Sequence, residues 1–242
     1  MPQIEVNSAN LYVSDQGSAD PALVFLHYFA GSSRSWDGVI DRMRSAYRCV
    51  APDLRGFGDS SAPASNYAVK DYADDVEDLI SSLGLESYIL IGHSMGGKFA
   101  MALAARRPAG LGALVLVDPS PPTPEPMSKS DREHLLASHG DRSAMVALIQ
   151  KVTVRPLPDL AFDTAVNDNL RSSLAAWCAW LEHGSRENIA EHMSNICVPT
   201  LVIRGAEDSV MHHDLLQREV VDRRKRVVFP SVACGDVGLT MS

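Results

Sequence analysis

Gly92-His93-Ser94-Met95-Gly96 matches the pattern G-x-S-x-G and closes an apolar, β-branched run that starts at Tyr88. A serine hydroxyl attacks a carbonyl only when a base removes its proton. The spacing of the glycines has a mechanical reason. A strand that turns sharply into a helix at Ser94 strains the serine's backbone, and a glycine two residues before and two after lets the helix pass close to the strand. The helix that follows then aims its first amides at the site, where they stabilise developing negative charge. The chemistry expected of such a serine is acyl transfer through a covalent intermediate, given a base and a group to orient it.

The serine needs a rigid frame, and the rest of the chain supplies one. Ala22–His27, Arg48–Asp53, Tyr88–His93, Ala113–Asp118 and Thr200–Gly205 are short, continuously apolar runs, as expected of strands covered on both faces of a parallel sheet. Helical patterns lie between them at 35–43, 69–83, 95–107 and 214–224. Strand–helix alternation of this kind predicts an α/β fold with a doubly wound, mostly parallel sheet. Ile4–Val6 and Asn10–Ser14 alternate more and predict an antiparallel edge.

One region breaks the rhythm. Pro119, Pro121, Pro122, Pro124 and Pro126 crowd a stretch that cannot be helical, and helix patterns without strands follow up to about residue 195. Residues 123–195 therefore read as a helical cap inserted into a core made of 1–122 and 196–242. Ser128 is placed to cap the first helix. Trp177, Trp180 and Leu181 share one helix face, where they either line an apolar pocket or fill the cap's own core.

With the elbow, the flanking elements and the inserted helices in place, the chain resembles the α/β-hydrolase fold family, in its cap-bearing serine esterase and lactonase branch. Leu23–Trp36 looks like that family's oxyanion loop, Pro52–Ser61 like the loop after the next strand, and Leu201–Met211 like the acid loop. The resemblance implies backbone N–H groups of Phe29 and Met95 as oxyanion donors, each contributing about 3 kcal/mol to the barrier. It implies Asp208 as the acid that orients an imidazole, with Asp118 at the alternative acid position. Tyr28 stands where the family most often has glycine and becomes a pocket candidate with Trp177 and Trp180. His27 and His93 are expected to brace the oxyanion loop and the elbow.

The family places its histidine base after the last strand, as Gly-His, with a final helix beyond it. Here Gly235-Asp236 follows the strand candidate Arg226–Pro230, and no histidine comes after His213. An aspartate of ordinary pKa about 4 is a weak base for a serine proton and has no second nitrogen for Asp208 to orient. Three outcomes stay open: an impaired hydrolase of small esters or lactones, a binding protein without turnover, and a hydrolase with a relocated histidine. His212 and His213 are expected on an exposed first helical turn, and His134, His139, His183 and His192 fall in the cap.

Composition excludes other classes. A net charge of −8 argues against a nucleic-acid surface, and the one dense basic cluster, Asp222–Arg226, suits a helix end. No run is long and apolar enough to cross a bilayer, and the N-terminus lacks the charged and apolar regions of a secretory signal. Cys49, Cys178, Cys197 and Cys234 are scattered, without metal-binding spacing. A cytoplasmic enzyme acting on a small molecule, with no cofactor and no metal, is the expectation.

Overall fold

The apolar runs pair into one sheet in the computed structural model, which describes residues 3–208, 213–222, 227–228 and 231–232. In chain order the core elements are β1 (Gln3–Val6), β2 (Ala9–Gln16), β3 (Ala22–Leu26), α1 (Asp37–Met43), β4 (Cys49–Pro52), α2 (Val69–Ser82), β5 (Tyr88–His93), α3 (Met95–Ala104) and β6 (Leu111–Val117). The insertion follows with α4 (Lys129–Ala137), α5 (Arg142–Val152), α6 (Asp159–Arg171) and α7 (Leu174–Glu182). The core then resumes with β7 (Thr200–Gly205), α8 (His213–Leu216), β8 (Val227–Val228) and β9 (Ser231–Val232).

The strands are ordered β1-β2-β4-β3-β5-β6-β7-β8, with β9 also on β7. β1 and β2 form the antiparallel edge, and β2 runs antiparallel to β4. From β4 onward every pairing is parallel. The alternation along β3 shows why the run had to be apolar throughout. Leu23 and Phe25 pack with Trp36 and Ile40 on one face, while Ala22, Val24 and Leu26 on the other join the larger cluster that takes in the buried faces of α2 and α3.

Local chemistry fixes the helix starts. The Asp71 carboxylate reaches back to the Ala68 N–H (2.9 Å) at the head of α2. Ser128 accepts from the Asp131 N–H, Asp141 from Ser143 and Ala144, and Ser173 from Ala176, so α4, α5 and α7 each begin on a polar cap.

The segment between β6 and β7 contains helices and no strand. Its two connecting straps are tied to each other, Glu125 N–H donating to Ser185 C=O (2.8 Å) and Ile189 N–H to Pro122 C=O (2.8 Å). Lys98 on α3 holds both straps from below. Its fully buried ammonium donates to the carbonyls of Glu187 (2.6 Å) and Thr123 (3.3 Å).

Candidate active site

β5 ends at His93 and α3 begins at Met95, which leaves Ser94 alone to make the turn. Its backbone lies at φ 49°, ψ −116°, a region an L-residue occupies only under compulsion, at a cost of about 1–3 kcal/mol. The surroundings supply the compulsion. Ser94 N–H donates to Val117 C=O (3.0 Å), and Ser94 C=O accepts from Ser120 N–H (2.9 Å) and Gly97 N–H (2.9 Å). A Cβ on Gly92 would lie 2.5 Å from the Gly96 carbonyl oxygen, and one on Gly96 would lie 2.5 Å from that of Leu26. The helix therefore passes against the ends of both β5 and β3, which only glycine permits. Ser94 is half-buried at this apex, and Met95 behind it is fully buried.

The loop after β3 turns beside the elbow. Gly31 N–H donates to Tyr28 C=O (3.0 Å), closing a turn over Phe29 and Ala30. Ala30 carries the left-handed backbone of that turn (φ 62°), and Tyr28 does not, so a tyrosine fits where glycine is usual. His27 fastens the loop from beneath. Its Nε2 accepts from Leu54 N–H (3.0 Å), which leaves Nδ1 to donate to Tyr28 C=O (2.7 Å). Burial lowers the His27 pKa and keeps the ring neutral in that role. Asp53 adds a further tie, accepting from Ser33 N–H (2.7 Å) and Asp59 N–H (2.7 Å).

The two carboxylates proposed as acids meet. Asp118 follows β6 with φ 39°, and its carboxylate takes the Gly205 N–H through both oxygens (3.1 and 3.3 Å). Asp208 lies beside it at the same glycine: a Cβ built on Gly205 would be 3.7 Å from Asp118 Oδ2 and 3.8 Å from the Asp208 Cβ. Burial first, and the charge of Asp208 second, push the Asp118 pKa up to about 7. Arg204 shapes the acid loop by donating to the carbonyls of Asp208 (2.8 Å) and Ala206 (3.2 Å).

His93 is buried between Tyr28 and Trp36, with ring centroids 5.3 and 6.3 Å away. Desolvation lowers its pKa to about 4, against the opposing pull of Asp208, so the ring is neutral near pH 7. His139 uses Nε2 on the Ser172 carbonyl (2.8 Å), and His134, His183, His192 and His213 are exposed. Asp236 and His212 lie outside the described residues.

The helical insertion meets the site through aromatic rings. Phe29 packs on Trp177 (4.7 Å between centroids), on Phe57 (6.1 Å) and on Trp180 (6.4 Å). Trp177 is 0% and Trp180 4% exposed, and the Trp177 indole N–H donates to Leu135 C=O (3.0 Å). Both rings are thus packed against the loop after β3, and Trp177 also against α4.

Comparison with known proteins agrees with the architecture. Residues 21–160 match the family model described as the alpha/beta hydrolase fold. The chain belongs to the α/β-hydrolase fold family. An epoxide hydrolase of Caballeronia sordidicola is 40% identical over 108 residues, 43% of this chain and 32% of that protein. The chain thus spans about a third of the length of several curated relatives it matches. Among solved structures, an esterase from Exiguobacterium antarcticum superposes with a TM-score of 0.85 at 22% identity, over 92% of this chain and 87% of that one. The enol-lactonase from Burkholderia xenovorans gives 0.81 at 20% identity, over 96% and 91%. Both likenesses are of fold.

Two residues that tie the insertion to the site's framework, Lys98 and Asp168, lie outside the motifs. Lys98 is the lone charge in the otherwise apolar run Met95–Ala105, and that isolation was a usable sign of a buried, partnered lysine. Asp168 gave no such sign. It reads as one more polar residue of an amphipathic helix, yet it is buried and ion-paired to the loop that follows β3.

Proposed function

We propose that the chain is a serine hydrolase of small carboxylic esters or lactones, acting through an acyl-Ser94 intermediate. The strained backbone of Ser94, enforced by glycines with no room for a side chain, is the observation that carries this. In the proposed mechanism the Ser94 oxygen attacks the carbonyl, and the N–H groups of Phe29 and Met95 hold the resulting oxyanion. Asp208 is the acid of the triad, with Asp118 beside it as the alternative. Residues 123–195 form the cap over Ser94, and Tyr28 borders the substrate space from the loop side. The protein works without a cofactor, in the cytoplasm.

Relatives named epoxide hydrolases suggest a different bond, and the nucleophile argues against it. Opening an epoxide with a serine oxygen gives an alkyl ether, which has no carbonyl for water to attack and would not turn over. A serine nucleophile suits acyl substrates, whose intermediate is an ester.

Base catalysis is where this chain departs from the family. Asp236 stands at the histidine position, so the chain is expected to turn over slowly, and Asp236→His is expected to raise kcat/KM on a short-chain p-nitrophenyl ester by about 10²- to 10⁴-fold near neutral pH. Ser94→Ala serves as the blank in both backgrounds. Ordinary enzymatic turnover by the unmodified chain, abolished by Ser94→Ala, would show that another histidine is the base. Binding of an ester without acylation in either background would favour a binding protein instead.

A further inference from the structure

We infer that Asp168, on helix α6 of the insertion, is a positioning residue for the loop that presents the Phe29 N–H: its buried carboxylate ties Ser32 and Arg34 to the insertion and so fixes where that amide points. The inference rests on the proposed role of Phe29 as an oxyanion donor.

Asp168 is 1% exposed, which for an ionised carboxylate demands partners on every side. It has them, and two come from the loop. Ser32 Oγ donates to Oδ2 (2.5 Å), and the Arg34 guanidinium donates to Oδ1. Arg171, one turn along α6, donates to the same Oδ1 (3.0 Å) and with its other nitrogen to Asp59 (2.5 Å), on the loop after β4. Arg34 also wraps back onto Ser32, its backbone N–H 3.2 Å and its Nε 3.4 Å from Ser32 Oγ. Burial raises the pKa of the Tyr28 phenol, and the charge of Asp168 adds to that rise. One carboxylate thus gathers two residues of the loop, Ser32 and Arg34, three and five positions after Phe29.

The consequence follows from geometry. Two attachments hold the loop against the insertion, the Phe29 ring on Trp177 and Trp180, and Ser32 with Arg34 on Asp168. The ring contact is apolar and permits sliding. The ion pair and short hydroxyl bond are directional, and they fix the loop's register. An oxyanion donor works only when preorganised at the position the charge will occupy. On this arrangement the insertion does more than cover Ser94, because it holds part of the catalytic backbone in place.

The test compares Asp168→Asn, Ser32→Ala and Arg34→Ala in the full chain by site-resolved amide hydrogen exchange. The informative amides are Gly31, Ser33 and Ser35, all hydrogen-bonded within or beside the loop. Exchange at these sites is expected to speed up by about tenfold or more while amides of β3, β5 and β6 stay as they were. Ser94-dependent turnover is expected to fall mainly in kcat, with KM within about twofold, because a transition-state contact is lost and ground-state binding is not. If Asp168→Asn does not fold, the two milder variants carry the same expectation. Unchanged exchange at the loop amides would overturn the inference whatever the activity, and so would uniform acceleration across the sheet. Loop exchange that rises in a chain with no Ser94-dependent turnover would leave the tie standing and count against the proposed hydrolysis.

Discussion

Asp118 and Asp208 stand side by side at the ends of neighbouring strands, and two buried carboxylates in contact cannot both ionise freely. Burial, and then the charge of Asp208, raise the Asp118 pKa from an ordinary 3.8 to about 7. The sign of the pH effect follows from proton counting. Between pH 3.8 and about 7 the folded chain holds a proton on Asp118 that the unfolded chain has released, so stability falls as pH rises through that window and levels off above it. Asp118→Asn keeps an oxygen for the Gly205 N–H and a donor for Asp208 but has no proton to lose. Its stability relative to the parent is therefore expected to rise from pH 4 to pH 7 in urea titrations, and a difference that stays flat over that range would refute the raised Asp118 pKa. Ser94 itself was readable from sequence because its constraint is local: two glycines and a strand before a helix. The meeting of Asp118 with Asp208 was not, since 90 residues separate them and only the pairing of β6 with β7 brings them together.

At the scale of elements, periodicity announced the sheet and the core helices well. β5 and β7 fall where continuous apolar runs place them, and α2 ends one residue short of the expected Leu83. The insertion was legible as helices but not in its attachment, which depends on a side chain of another element. Lys98 provides it, reaching from α3 to a carbonyl on each strap. Burial lowers its pKa to about 8, with the charges of Glu125 and Glu187 opposing the shift. Glu125 is itself held by the Ser120 hydroxyl, and burial pushes its pKa up. Lys98→Met removes both hydrogen bonds and orphans two carbonyls, each worth about 1–3 kcal/mol when left unpaired. A loss of that size is expected, together with faster proteolysis within the straps at 119–127 and 183–190. The pH sign opposes that of Asp118. From about pH 8 to 10.5 the unfolded chain keeps a proton that folded Lys98 has released, so the parent gains on the variant as pH rises. Straps that resist protease equally in both proteins would show that Lys98 is not what holds them.

The proline-rich hinge suggests a separable cap, but the packing joins it to the core. A single buried cluster runs from Leu26, Leu90 and Phe99 of the sheet and α3 through to Met145, Val166, Trp177, Trp180 and Leu181 of the insertion. Trp180 meets Phe99 at 5.6 Å between ring centroids, and Phe99 stacks on Tyr72 of α2 at 4.2 Å. Rings in one continuous contact lose their apolar burial together, because melting the insertion alone would expose Phe29 and Phe99 along with the tryptophans. Polar ties reinforce the same union, at Asp168 on one side and Lys98 on the other. Sequence could not reveal this, since Trp177 and Trp180 carry the same helical spacing whether they face a pocket, their own helices or the sheet. The expected outcome is one cooperative transition in scanning calorimetry, with calorimetric and van't Hoff enthalpies equal and a total near 170 kcal/mol at about 60 °C for a chain of 242 residues. Trp177→Ala should lower the midpoint of that one transition, by a cavity cost of about 3–5 kcal/mol, without splitting it. Two resolved transitions in the parent, the earlier one accompanied by protease cuts confined to 129–182, would mean that the insertion melts on its own and that the shared aromatic cluster does not bind it to the sheet.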